Sequence, residues 1–206
     1  MRTGILGGTF NPVHNGHLYM AFEAKERLKL DRLILLPNYQ PPHKDAQGRD
    51  PQDALAMLNL IFSGEEGFLI SRFELEKKGL SYTVDTLEHF SKIYPEDELF
   101  LLMGEDSYVE FSRWRNPQRI LELATLVVFE RKFYPEAMRK EAMAFIAGHG
   151  GKVHLVDSRI LEISSSDIRA RVKNGLEIRY LVPEEVRTYI EKHGLYQEQS
   201  LDGGTD

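Results

Sequence analysis

The sequence predicts an α/β protein, a doubly wound parallel sheet with a small helical cap at its C-terminal end. Three observations predict it. Short, continuous apolar runs end on chain breakers, as strands covered on both faces do. Longer stretches of helical periodicity lie between those runs, the alternation of βαβ units. The last stretch carries helical patterns with no strand between them. Such a Rossmann-like sheet has right-handed crossovers, which bring every strand's carboxyl end to one edge, where ligands bind.

The elements follow in order. Ile5-Leu6 lead into Gly7-Gly8, and after Gly16 an apolar stripe runs from Leu18 to Leu28 through Ala21, Phe22 and Ala24. Leu33-Ile34-Leu35-Leu36 stops at Pro37, and Asp53 to Phe62 reads as a helix through Leu55, Leu58 and Ile61. Phe68-Leu69-Ile70 follows Gly67, and Thr83 to Ile93 is helical through Val84, Leu87 and Phe90. Leu99 to Met103 stops at Gly104, and Leu126 to Phe129 stops at Glu130-Arg131. Met138 to Ile146 is the next helix, and Val153 to Val156 follows a Gly-Gly turn. Ser164 to Val172 and Pro183 to His193 then form the cap, within about 164–196. Pro183 before Glu184-Glu185 suits a helix start, and Gly194 suits its stop. One domain over 1–196 is expected, and the polar, Gly-rich tail from Gln197 to Asp206 reads as disordered.

Composition narrows the function classes. The chain has 206 residues, enough for a core without staples. Lys and Arg number 26 and Asp and Glu 32, so the net charge is 26 − 32 = −6. That balance argues against a nucleic-acid binder, which needs a basic face to displace counterions. With no cysteine, there is no disulfide, no thiolate metal site and no cysteine nucleophile. The short, glycine-interrupted start is no signal peptide, and no apolar run nears the ~20 residues of a membrane span. A cytoplasmic protein is expected, and a homo-oligomer is left open.

Several strings carry chemistry. Gly7-Gly8-Thr9-Phe10-Asn11-Pro12-Val13-His14-Asn15-Gly16-His17 leaves the first strand and opens the first helix. Its glycines let backbone N–H groups approach an anion, and the helix start adds positive potential. His14 and His17, three apart, can both face a phosphate there. They make a poor zinc pair, since no third ligand lies at a suitable spacing, and no resident metal site is assigned. Ile163-Ser164-Ser165-Ser166-Asp167-Ile168-Arg169 supplies a second anion cradle at a helix start, with Arg169 one turn in. Its alternative reading is a serine cap followed by a solvent-facing arginine.

Pro37-Asn38-Tyr39-Gln40-Pro41-Pro42-His43-Lys44 is a stiff loop that brings the charge of Lys44 to the carboxyl edge, or an ordinary surface loop. In Gly104-Glu105-Asp106-Ser107, Asp106 can bind ribose hydroxyls or cap a helix. Trp114, the only tryptophan, can stack on an aromatic ring or pack in the core. Glu130-Arg131-Lys132 adds positive charge at the same edge, or is a solvated run.

These strings, in this order, resemble the nucleotidylyltransferase superfamily. More closely, the chain resembles the bacterial nicotinate-nucleotide adenylyltransferases. The matching strings are GGTFNPVHNGH (7–17), PNYQPPHK (37–44), SYTVDTL (81–87), GEDS (104–107), the tryptophan at 114, ISSSDIR (163–169) and LVPEEVRTYIEKHGLY (181–196). The resemblance implies transfer of AMP from ATP to nicotinate mononucleotide, giving deamido-NAD and pyrophosphate, with Mg²⁺ and no covalent enzyme intermediate. It implies His14, His17, Lys44 and Arg169 as the catalytic set. Gly7, Gly8, Thr9, Phe10, Gly104, Asp106, Arg131, Ser165 and Ser166 complete the ATP site. Asn38, Lys44, Thr83, Asp106 and Trp114 hold the acceptor, with Thr83 near the pyridine carboxylate and Trp114 on the ring.

Two residues depart from the family's pattern. Asn11 stands where aspartate is frequent, which removes a negative charge beside the phosphates. Arg115 stands where an aromatic residue is common, so the pyridine pocket differs. Rival acceptors are nicotinamide mononucleotide and phosphopantetheine, and the rival class is a nucleotide sensor without turnover.

Overall fold

The computed structural model describes residues 1–40, 50–130, 134–157 and 161–197. Strands β1 (Arg2–Gly8), β2 (Arg32–Pro37), β3 (Phe68–Ile70), β4 (Glu98–Gly104), β5 (Ala124–Phe129) and β6 (Val153–Val156) form one sheet in the order β3-β2-β1-β4-β5-β6. Every pairing is parallel. Ile5 sits at the centre, opposite Ile34 on β2 and Leu101 on β4. The winding reverses between β1 and β4, the switch point at which such sheets open a crevice.

Alternate residues of the apolar runs enter different cores. Leu6, Leu33, Leu35, Phe100 and Leu102 pack with α1 (Asn15–Arg27), α2 (Pro51–Phe62), α8 (Ser165–Lys173) and α9 (Glu184–Lys192). Ile5, Ile34, Leu101, Leu126 and Val128 pack with α4 (Thr83–Ile93), α6 (Pro117–Leu123) and α7 (Glu136–Gly148) on the other face. Two covered faces explain why the central strands read as unbroken apolar runs. Each such leucine contributes roughly 1.5–3 kcal/mol by leaving water. At the sheet edges, Leu69 on β3 and Leu155 on β6 stay exposed, so the covering is incomplete there.

Some short elements carry no long periodic pattern and were not foreseen. They are α3 (Phe73–Lys77), α5 (Glu105–Val109), a 3₁₀ turn (Phe111–Arg113) and α6. None exceeds two turns, too short for a helical stripe to register. The first helix also begins earlier than its apolar stripe, at Asn15 rather than beyond Gly16. Proline and Asp50 start α2: the Asp50 side chain accepts from the Gln52 N–H at 2.8 Å.

The cap rests on the first core. Val186 and Ile190 of α9 are buried there, and the Tyr189 hydroxyl donates to Asp53 of α2 at 2.9 Å. Gly194 ends α9 at φ +59°, and the Leu195 N–H closes onto the Ile190 carbonyl at 3.0 Å. Of the expected tail, residues 198–206 lie outside the described residues.

Candidate active site at the carboxyl edge

The loop after β1 is glycine-rich but anchored. Phe10 and Val13 are fully buried, and the Asn38 N–H at the end of β2 donates to the Gly8 carbonyl at 2.9 Å. His14 is the N-cap of α1, with an extended backbone. Its N–H donates to Nδ1 of His17 at 3.2 Å. A neutral His17 therefore carries its proton on Nε2, which makes that atom a donor. The two rings stack with centroids 3.7 Å apart, and Phe10 meets His17 edge-on at 4.9 Å. His14 is buried and His17 half-buried.

This stacking explains the glycine between the histidines. A Cβ on Gly16 would lie 3.0 Å from Nδ1 and 3.1 Å from Cε1 of His14. Any side chain there presses on the ring. Gly16 thus serves α1 by absence of bulk, although glycine is a poor helix residue.

The second cradle docks directly on the first. Ser164 caps α8, its hydroxyl accepting from the Asp167 N–H at 3.1 Å. Ser165 Oγ donates to the Pro12 carbonyl at 2.9 Å, and Arg169 donates to the Asn11 carbonyl at 2.7 Å. The serine cap of the alternative reading is present, and the arginine is half-buried rather than solvent-facing. The Ser165 hydroxyl and one guanidinium arm are thus engaged with the loop. What faces outward at this helix start is exposed Ser166 and the first-turn backbone.

The cap supplies more of the grip. The Asn15 N–H donates to the Leu181 carbonyl at 2.9 Å, and its side-chain amide to the Tyr180 carbonyl at 3.2 Å. The Tyr196 hydroxyl donates to Asn11 Oδ1 at 2.7 Å. Asn11, one of the two departures, is therefore held from the far end of the chain. Sequence reasoning missed this use of Leu181 and Tyr196. The only signal for it was their place in the string 181–196.

Further along the same edge, Ser81 joins two loops. Its hydroxyl accepts from the Tyr39 N–H at 3.0 Å, and its own N–H donates to the Gln40 carbonyl at 2.8 Å. Asn38 thereby comes beside the start of α4, whose first residue is Thr83. Trp114 is half-buried and packs on Phe111 with centroids 5.5 Å apart, so part of its surface belongs to the second core. The Arg115 guanidinium lies 4.4 Å from the Tyr82 ring centroid, linking the Trp114 segment to the start of α4.

Asp106 is exposed on the first turn of α5, with half-buried Gly104 as that helix's N-cap. The cap position falls on Gly104, and Asp106 stands with Glu105 as an acid of the first turn. Beneath it, buried Glu105 lies 3.7 Å from Arg139, which also reaches Glu130 at 3.8 Å. Arg139 thus ties the ends of β4 and β5 together. Gly7 and Thr9 sit at the open end of β1. Lys44, His43, Arg131 and Lys132 lie outside the described residues. Among the described residues, no group of three or more His, Asp or Glu is placed to hold a metal ion. Among them, too, no helix is long and apolar enough to cross a membrane.

A glycine loop bearing stacked histidines at a switch point, with a second helix start docked on it, defines a nucleotide-handling class. A family model described as cytidylyltransferase-like matches residues 5–171. A protein of Dictyoglomus thermophilum, named a probable nicotinate-nucleotide adenylyltransferase, is 40% identical over 95% of this chain and 100% of its own length. One of the same name from Desulfitobacterium hafniense is 41% identical over 95% of this chain and 96% of its own. The fold matches that of Plasmodium falciparum nicotinic acid mononucleotide adenylyltransferase complexed with NaAD. That match has a TM-score of 0.76 and 17% identity, covering 95% of this chain and 97% of that one. The chain belongs to the cytidylyltransferase-like family and, within it, to the nicotinate-nucleotide adenylyltransferases.

Proposed function

We propose that the protein joins the AMP part of ATP to nicotinate mononucleotide. An oxygen of the acceptor's 5′-phosphate attacks the α-phosphorus, and the bond from that phosphorus to the bridging oxygen breaks. Pyrophosphate leaves with the electron pair, and deamido-NAD remains. The observation that carries this reading is the paired cradle: the histidine loop and the start of α8, joined through Ser165 and Arg169. Two adjacent anion cradles suit a triphosphate. Nothing in the site requires a covalent step, so positioning and charge stabilisation supply the rate.

His17 Nε2–H, a donor by its tautomer, supports a role at the phosphate where charge develops, with His14 stacked behind it. Ser166, the α8 backbone and the remaining arms of Arg169 support a hold on the β- and γ-phosphates. Gly7, Gly8, Thr9 and Phe10 shape the approach, and exposed Asp106 suits a ribose hydroxyl. Asn38, Thr83 and Trp114 line the acceptor side, and we assign Lys44 and Arg131 to this site from the sequence. Among the described residues no three His, Asp or Glu are grouped to hold a cation, and Asn11 Oδ1 is engaged by Tyr196. Phosphate oxygens are the ligands Mg²⁺ prefers, so an ion carried on the ATP phosphates would supply charge neutralisation there. Charged nucleotide substrates fit a cytoplasmic site of action, and the net charge of −6 fits the absence of a nucleic-acid partner.

Pyrophosphate release from ATP, measured separately with nicotinate mononucleotide, nicotinamide mononucleotide and phosphopantetheine, tests the reading. Fastest release with the first is expected. ATP binding without release for any acceptor would instead mark a sensor. His17→Ala is expected to cut turnover at least ~100-fold, the scale of one preorganised donor. Near-normal turnover in that variant would remove the histidine from the mechanism.

A further inference from the structure

Glu105 and Glu130 leave neighbouring strands at the same level. Gly104 and Phe129 are the last pair in the register of β4 and β5, and each glutamate follows one of them. Carboxylates at neighbouring strand ends repel, and burial sharpens the repulsion. Arg139 of α7 answers both, 3.7 Å from Glu105 and 3.8 Å from Glu130. Nearby Glu136 pairs with Lys140 at 2.8 Å instead. The guanidinium is not wedged in place, because a cavity of about 290 Å³ lies against it, walled also by Val128, Met143 and Leu155. Attraction to the two carboxylates holds it there. Glu105 is fully buried, while its neighbour Asp106 is exposed. A buried carboxylate costs stability that a well-packed apolar side chain would not, so stability alone does not account for this one. The helix it opens needs outside support: α5 has five residues, and its N-cap glycine offers no side-chain oxygen to the first turn.

We propose that Glu105 is a positioning residue: through Arg139 it fixes the first turn of α5 against α7, and so sets where the Asp106 carboxylate stands at the carboxyl edge. The inference rests on the reading of Asp106 as a ribose contact. Glu105 and Asp106 share one short turn, so a shift of the buried side chain carries the exposed one with it. A group that orients a substrate loses effect steeply when it is misplaced by about 1 Å. Arg139 also holds the end of β5 through Glu130, so the two strand ends keep one spacing.

The test measures kcat, the thermal midpoint, and KM for ATP and for nicotinate mononucleotide. Asp106→Ala first identifies which KM depends on that carboxylate. Glu105→Gln is expected to raise the same KM about threefold to tenfold, with kcat within about twofold of wild type. Arg139→Gln, at a half-buried site that tolerates change better, carries the same expectation, and Arg139→Lys is expected to recover part of the loss. Glu105→Gln combined with Asp106→Ala should raise that KM no further than Asp106→Ala alone, since Glu105 acts only through Asp106. Tyr108→Phe is the control. It removes the hydroxyl that donates to the Arg139 carbonyl at 3.2 Å, between the same two helices. It is expected to lower the midpoint and leave both KM values unchanged. Unchanged KM values in Glu105→Gln and Arg139→Gln, additive effects in the double variant, or the same rise in Tyr108→Phe overturns the proposal while the Asp106 reading stands. An Asp106→Ala variant with both KM values unchanged overturns the two together.

Discussion

At the scale of single residues, the site depends on what is missing as much as on what is present. Gly16 leaves the space that the His14 ring occupies, and a methyl group there would stand 3.0 Å from Nδ1. Gly16→Ala sets two effects against each other. Alanine favours the helix by roughly 0.5–1 kcal/mol, whereas the contact pushes the His14 ring off its stack with His17. The expected outcome is a thermal midpoint within a few degrees of wild type, with kcat reduced about tenfold. A variant as active as wild type would show that the stack is not needed for turnover. The histidines, Ser165, Ser166 and Arg169 were legible as strings because spacing and chain order carry them. Two partners were not. That Ser165 and Arg169 hold backbone carbonyls of the first loop follows from three-dimensional proximity, which no local pattern encodes.

Among the elements, the six strands and the long helices were readable because burial on both faces writes continuous apolar runs between helical stripes. The short helices were not, and α3, α5 and α6 owe their form to packing rather than periodicity. The sheet also has an electrostatic tie at the edge opposite the site. Thr3 on β1 donates to Asp97 at 2.6 Å, the N-terminal ammonium lies 3.2 Å from the same carboxylate, and Arg32 on β2 lies 3.5 Å away. The Thr3 hydrogen bond, more than the nearby charges, holds the Asp97 carboxyl below the ordinary carboxylate range. A depressed folded-state pKa gives stability that is present above the unfolded value, near 4, and lost as pH falls through the folded one. Asp97→Asn is therefore expected to cost about 1–2 kcal/mol at neutral pH. The gap from wild type should shrink as pH falls below about 4. Urea titrations at several pH values check this. A gap independent of pH would assign the cost to packing, and pyrophosphate release should be unaffected because the residue lies far from the carboxyl edge.

For the whole molecule, the cap and the histidine loop are one mechanical unit. The chain's last described turn returns to its first loop: Tyr196 bonds Asn11 across 185 positions. The net charge of −6 is no obstacle to such a site, since a phosphate pocket needs local donors rather than a basic surface. Sequence reasoning gave the cap's first helix a cradle but gave its far end no task, because the links from Tyr180, Leu181 and Tyr196 to the loop are all long-range. Tyr196→Phe removes one hydroxyl and little else. The Asn11 side chain then loses its tether, and the carbonyl of the same residue, which accepts from Arg169, loses a fixed frame. A modest stability cost of about 0.5–1.5 kcal/mol is expected, together with a KM for ATP raised severalfold. Tyr189→Phe separates the two effects. It breaks a comparable bond, to Asp53 at 2.9 Å, on the same cap but against α2 rather than the loop. The two variants should lose similar stability, and only Tyr196→Phe should weaken ATP. Equal KM values in both would mean that the loop holds its shape without the Tyr196 tether.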